Sequence, residues 1–344
     1  MWRDRFGSVG GLGVRRRHAS LPGTGAVLQA LRRRSTPHPG RAERQFRPCR
    51  DDDAFVGTTI RLGANSGTGG GFRVDLQLEQ NLEPPIVIHA DDLGPCHPMF
   101  LLRLRLFVDW HLAQGRAVSV TAPADRAVAQ HLSDMRIVEG LPDGLFGELP
   151  DPRSTEGSVL GLSRLSSYHD VEDAAANATE VLGLQVPALA SWGDAAHMAI
   201  SELCDNAIQH GRSDFGAYAA ADRVLDPQPC FRLVIADLGI GIPEHIRSQH
   251  PEWHDDAAAI SRVLERGVTG TGDPHRGNGY AEVLDQALGA QLRRAMSSLV
   301  LDIRSAKGRV GVRLVDEAVR VDAPLATHPR RGTWITYEVT SIGT

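Results

Sequence analysis

Phe231–Ala236 (FRLVIA) is a nearly continuous apolar run, and it stops on Asp237-Leu-Gly-Ile-Gly-Ile-Pro243. Such a run reads as a buried strand. An acid and two glycines placed directly after it mark a strand end where a carboxylate meets a backbone free to turn tightly. The surrounding pattern supplies partners. Val159–Leu165 reads as a strand, and Val171–Val181 and Gly193–His210 as helices. Asp255–Arg266 is a helix closed by Gly267, and Gly279–Leu288 is another. Ser298–Arg304 and Arg309–Val315 form a hairpin, and Thr333–Val339 alternates as a last strand. The order predicts an α+β two-layer sandwich, with one mixed sheet and helices on one face.

Upstream lies a different pattern. Pro85–Ile88 and Ala117–Thr121 read as strands, Pro98–Gln114 and Asp125–Met135 as helices, with Asp125 a natural N-cap. Residues 76–150 are thus expected to form a small α/β unit, and the turn-rich stretch 140–158 to lead out of it. Residues 1–75 are rich in Gly, Arg, Ser and Pro and are expected to be a disordered tail. An Arg-rich start also fits a transit peptide or a translated extension without function. The main domain is expected over 155–344.

Charge and composition exclude several classes. Residues 1–50 hold twelve arginines against Asp4 and Glu43, a net +10 in a chain of −5, which leaves −15 for residues 51–344. So acidic a body argues against a main domain that binds nucleic acid. Lys307 is the only lysine and follows no glycine-rich loop, so no P-loop exists. Cys49, Cys96, Cys204 and Cys230 form no CxxC pair, and the histidines form no HExxH. Neither a disulfide framework nor a zinc motif is expected, and the chain reads as cytoplasmic. The most apolar stretch, 98–113, is interrupted by Arg103, Arg105 and Asp109, so no membrane span is expected.

Four segments carry residue types suited to chemistry. In Ile200-Ser-Glu-Leu-Cys-Asp-Asn-Ala-Ile-Gln-His-Gly211, Glu202 and Asn206 lie one turn apart on a helix, at the edge of its apolar face. An amide oxygen suits Mg²⁺, and a carboxylate can orient or deprotonate a nucleophile. Asp237 can accept a hydrogen bond from an exocyclic amine, and Gly239 and Gly241 can admit a flat ring. Gly270–Tyr280 places glycines, Gly277 and Gly279 among them, before a helix start, where N–H groups and the helix dipole favour an anion. Thr333 enters the last strand after Arg330-Arg331-Gly332. Each segment alone also has a plain reading: an amphipathic helix edge, a turn, a linker and a hairpin.

Taken in order, ExxxN on a helix, DxGxG after a strand, a GNG loop before a helix and GT before a strand resemble the Bergerat ATP-binding fold. This is the GHKL superfamily of gyrase B subunits, heat-shock chaperones, histidine kinases and mismatch-repair ATPases. The match covers about residues 190–340. The resemblance implies ATP and Mg²⁺ as ligands. It assigns Mg²⁺ to Asn206, the general base to Glu202 and the adenine amine to Asp237. Gly239 and Gly241 would line the base pocket, Gly277 and Gly279 would sit near the phosphates, and Thr333 would support Asp237. Residues 244–276 match the lid, whose Arg262, Arg266 and Arg276 would order over the phosphates. One departure is plain: the third segment reads RGNGY, with His275 or Arg276 where the family has its first glycine.

ISELCDNAIQHG is most similar to histidine kinases and anti-sigma serine kinases. A phosphoacceptor box is missing: His169-Asp170 lacks the usual proline and apolar heptads, and Asp170 reads as a helix cap. Residues 76–150 weakly resemble STAS domains. The chain is therefore expected to be a regulatory ATP-binding protein acting on or through a partner of sigma-factor, response-regulator or STAS type. An ATPase driving a conformational cycle and a non-catalytic, nucleotide-gated module are the alternatives.

Overall fold

The computed structural model describes residues 57–64, 82–153, 160–225, 228–268, 278–293, 297–315, 318–323 and 330–341. Three short strands, β1 (Thr58–Arg61), β2 (Ile86–His89) and β3 (Val118–Val120), pair in parallel in that order. Helices α1 (Pro98–Ala113) and α2 (Arg126–Asp134) belong to the same unit. Asp125 caps α2 by accepting from the N–H groups of Ala127 and Val128.

The larger unit begins with β4 (Leu160–Leu165), α3 (Tyr168–Gln185), a 3₁₀ turn (Pro187–Trp192) and α4 (Gly193–Gly211). Then come β5 (Ala217–Val224), β6 (Cys230–Asp237), α5 (Ile242–Arg247), α6 (Asp256–Val263) and α7 (Gly279–Arg293). Strands β7 (Ser297–Ala306), β8 (Gly308–Val315), β9 (Ala318–Asp322) and β10 (Arg330–Ser341) complete it. The seven-stranded sheet has the order β4-β5-β6-β10-β7-β8-β9.

The α+β class is as expected, but one feature differs. Every neighbouring pair in this sheet is antiparallel, so the sheet is not mixed. The larger unit's own helices pack on one face, as expected, and the small unit covers the other. Strand residues Ala219, Leu233, Ile235, Leu301 and Ile335 face a front core shared with α3 and α4. Tyr218, Ala220, Val234, Ala236 and Trp334 point the other way, into a core shared with α1 and the small sheet. This explains why β6 reads as a continuous apolar run: both its faces are covered. β7 alternates strictly between buried and half-buried residues, because α1 does not reach its back face.

Placement on the sheet also explains the charges that interrupt the most apolar helix. Arg105 donates to the carbonyls of Ile137 (3.0 Å) and Glu139 (2.7 Å) and to Asp109 (3.0 Å), and the Tyr218 hydroxyl donates to Asp109 at 2.7 Å. The Arg103 guanidinium lies over Trp334, 5.6 Å from the ring centre. Arg105, Asp109 and Tyr218 are pinned by these bonds at the seam between the two units.

Other expectations shift locally. The expected tail runs through residues 57–64, yet β1 is a strand there and Leu62 is buried; residues 1–56 lie outside the described residues. The α3 cap is Ser167, not Asp170: Ser167 accepts from the Asp170 N–H, and the Asp170 carboxylate accepts back from the Ser167 N–H. His169 is an exposed first-turn residue 3.5 Å from Asp173. Strand β5 (AYAAADRV) gives no strand signal, since alanine prefers helix; its small side chains are buried on both faces by the layers in front and behind.

Removing residues 1–75 deletes β1 and the buried Leu62 side chain. Relative to removal of residues 1–56 alone, this truncation is expected to lower Tm by about 2–5 °C, as one buried leucine contributes about 1.5–3 kcal/mol. Differential scanning calorimetry reads the difference, and equal Tm values would show that β1 adds nothing.

Candidate functional site

The front core opens into a cavity of about 350 Å³ between α4, β6, α5, α7 and β10. Its walls divide by chemistry. Ile235, Ile242, Ile246 and Ile335 provide apolar surface beside Asp237, while Glu202, Asp205, Asn206 and Glu282 provide polar surface beside the start of α7. Gly211 touches Asp237, and Glu202 lies nine residues earlier on the same helix. At 1.5 Å rise per residue, the two poles are about 13 Å apart along α4.

Asp237 ends β6 and is 1% exposed. Its Oδ1 accepts from the Gly239 N–H at 2.8 Å. Thr333, its cross-strand partner on β10, also hydrogen-bonds its carboxylate. Burial outweighs these bonds and pushes the Asp237 carboxyl up to about 6. Thr333 thus stands where the sequence places it, in support of Asp237.

The turn after Asp237 docks onto the C-terminus of α4. The Ile240 N–H donates to the Gly211 carbonyl at 2.9 Å. A Cβ on Gly239 would fall 1.4 Å from that same oxygen, so this position admits only glycine. Gly239 therefore packs against backbone and does not line the cavity, contrary to expectation. Gly241 does line it. Beside Gly241, Ser305 donates to the Gly332 carbonyl (2.7 Å) and accepts from the Ile242 N–H (3.0 Å), tying α5 to β10.

At the polar pole, α7 begins against α4. A Cβ on Gly279 would lie 2.5 Å from Glu202 Oε2 and 3.2 Å from Asn206 Nδ2. Glu202, Asn206 and Gly279 are thus brought together. Burial raises the Glu202 carboxyl above its ordinary value, and the neighbouring Glu282 and Asp205 raise it further. Gly277 and Arg276 lie outside the described residues. Arg262 and Arg266 are engaged elsewhere. Arg262 pairs with Glu265 at 2.9 Å and lies over Trp253, while Arg266 pairs with Asp285. Neither is held for an anion in this arrangement.

One pair in the wall has no counterpart in the sequence reading. His210 and His245 both line the cavity and stack with ring centres 4.5 Å apart. Burial, His210 and Arg212 together press His245 down to about 4, so it is neutral at ordinary pH. His210 stood in the first segment, but its partner comes from α5, thirty-five residues on, and only the fold joins them.

Among the described residues, no group of three or more His, Cys, Asp or Glu side chains is arranged to hold a metal ion, and no helix is long and apolar enough to cross a membrane. No protein-family model matches the chain, and no curated protein matches it. The chemistry of the site therefore carries the functional reading.

Asp237 carries a stability signature. Its folded value of about 6 exceeds the ordinary 3.8, so its protonated form favours the fold. That contribution is full below about pH 4 and is lost as pH rises through about 6. Asp237→Asn, which keeps the shape without the charge, is expected to stabilise the ligand-free protein at pH 7 by on the order of 2–3 kcal/mol. The gain should vanish towards pH 4. Urea unfolding at a series of pH values measures it, and a loss of stability at pH 7 would contradict the assignment.

Proposed function

We propose that the chain is a regulatory ATP-binding protein of the GHKL type, which takes Mg-ATP into the cavity and acts on or through a protein partner. The observation that carries the reading is Asp237, a buried acceptor on the wall of a cavity that is apolar on its own side and polar about 13 Å away. A hydrogen-bonded carboxylate in an apolar cleft suits an aromatic ring bearing an exocyclic amine. Thr333 and the Gly239 N–H hold that carboxylate in place.

The polar pole suits phosphates only with a cation. Glu202, Asp205 and Glu282 face it, and three carboxylates oppose a bare polyanion. Mg²⁺ reconciles the two, and it is commonly bound by one or two protein oxygens plus substrate phosphates rather than by a full protein cage. Asn206 would supply the protein oxygen. The lack of a preformed metal cluster among the described residues is compatible with a cation that arrives with its nucleotide. Glu202, with its raised carboxyl, is the group placed to accept a proton if ATP is turned over.

The partner reading rests on the resemblance of ISELCDNAIQHG to histidine kinases and anti-sigma serine kinases. Sigma-factor, response-regulator and STAS proteins are the partner types that follow from it.

Titration with a fluorescent ATP analogue in Mg²⁺ is expected to show saturable binding that ATP displaces; its absence would overturn the reading. Asp237→Asn is expected to weaken binding by a factor of about 5–150, as a misfit buried polar group costs about 1–3 kcal/mol. Asn206→Ala should weaken Mg-ATP more than metal-free nucleotide. Glu202→Ala separates enzyme from gated module. It should leave binding intact and cut any turnover by about 10²–10⁴.

A further inference from the structure

A second cavity, of about 380 Å³, lies on the opposite face of the sheet, where α1 stops short of β7 and β8. Four arginines line it: Arg103 from α1, Arg232 from β6, Arg304 from β7 and Arg309 from β8. Asp302 and Glu338 are the acids in the lining, and Asp222 holds Arg232 from β5 with a 2.7 Å bond. Arg304 and Arg309 sit directly opposite each other in the register. Like charges in that position repel. A single carboxylate lies between them: Asp302 accepts from Arg304 Nε at 2.7 Å and from Arg309 Nε at 2.6 Å. Counting Arg103, Arg232, Arg304 and Arg309 against Asp302, Glu338 and Asp222, the wall keeps one positive charge in excess.

Above this pair stands the α1 end of the wall. Arg103 is 6% exposed and stacked over Trp334, whose register partner on β7 is Arg304. His97 caps α1 through its Nδ1, which accepts from the Met99 N–H at 3.1 Å, and the first turn of this sixteen-residue helix holds no acid. The helix dipole therefore adds positive potential at the same wall. All this lies in a body whose residues 51–344 carry −15, so positive charge is concentrated here against the average.

We infer that this back-face cavity binds a phosphate monoester, its phosphoryl group among Arg103, Arg304 and Arg309 and its organic part against Trp334 and Met99. Guanidinium forks match phosphate and carboxylate oxygens alike. A carboxylate, however, presents two oxygens in one plane. A phosphoryl group presents three oxygens in different directions, as suits donors arriving from two strands and a helix. The volume exceeds what inorganic phosphate fills, and the Trp334 ring and Met99 give the remainder an apolar wall. The phosphoryl group can come from a small metabolite or from a phosphorylated side chain; the chemistry of capture is the same.

The site is independent of the nucleotide cavity, which lies on the other sheet face. Isothermal titration of the full chain with O-phosphoserine and with a short phosphoserine peptide, with serine and the unphosphorylated peptide as controls, tests it. Saturable binding with Kd between about 1 μM and 1 mM is expected for at least one phosphorylated probe and for neither control. Arg309→Glu, a change at a partly exposed side chain, should weaken it at least about tenfold with Tm unchanged, and Arg304→Gln should do likewise. Asp237→Asn should leave it unaltered. Peptide binding tighter than phosphoserine identifies a phosphorylated partner as the source, and equal affinity a small metabolite. No saturable binding of either probe, binding unaffected by both arginine changes, or competition by ATP that Asp237→Asn abolishes would overturn the inference.

Discussion

The site is organised around a carboxylate that the fold buries with no cation beside it among the described residues. Asp237 is held by the Gly239 N–H and by Thr333, and the backbone closes over it from Gly211 and Gly332. Burying a charge on these terms costs stability, and the raised carboxyl value expresses that cost. The cavity geometry follows from the same clamp. The turn after β6 can dock on the end of α4 only because Gly239 has no side chain, and that docking sets Gly241, α5 and the His210–His245 stack around the opening. Proteins that break a local rule in this way tend to do so where a ligand completes the arrangement.

The sheet serves two faces with different chemistry. Its front carries a mostly apolar core, and the cavity opens from it between α4 and α7. Its back is divided. Over β5, β6 and part of β10 it is a second apolar core shared with α1, and over β7 and β8 it is charged and partly open. The small parallel unit is thus packed onto the strand that ends in Asp237. Arg331 makes the contact closest to the site: its Nε donates to the Leu238 carbonyl at 2.8 Å while its guanidinium lies over Trp110 of α1. A change in how α1 sits would be felt one residue from Asp237.

Much of this was legible in the residues themselves. Apolar runs and alternation located β2, β6, β7, β8 and β10, and helical spacing located α1, α4 and α7, because those patterns report directly which side of an element is buried. Glu202 and Asn206 share a stripe of one helix, so their common placement needed only its periodicity. Thr333 beside Asp237 needed the register of β10 on β6, and only the resemblance of the four segments to a known family anticipated it. Strands such as β5 escaped notice because alanine carries no strand signal; its place is imposed by layers packed close on both sides.

What the sequence determined by itself was the alternation of elements and the chemical character of four segments, since both depend on neighbours within a few residues. Tertiary structure decided whatever depends on residues far apart. It made the sheet fully antiparallel and covered its back with α1. It turned Arg262 and Arg266 to acidic partners, withdrew Gly239 from the cavity wall, and stacked His245 on His210. It also set Arg304 against Arg309 and brought Arg103 above them. Side-chain charge and size are local properties, but burial and partnership are set by whichever distant surface the packed chain brings near, and no periodicity along the chain encodes that.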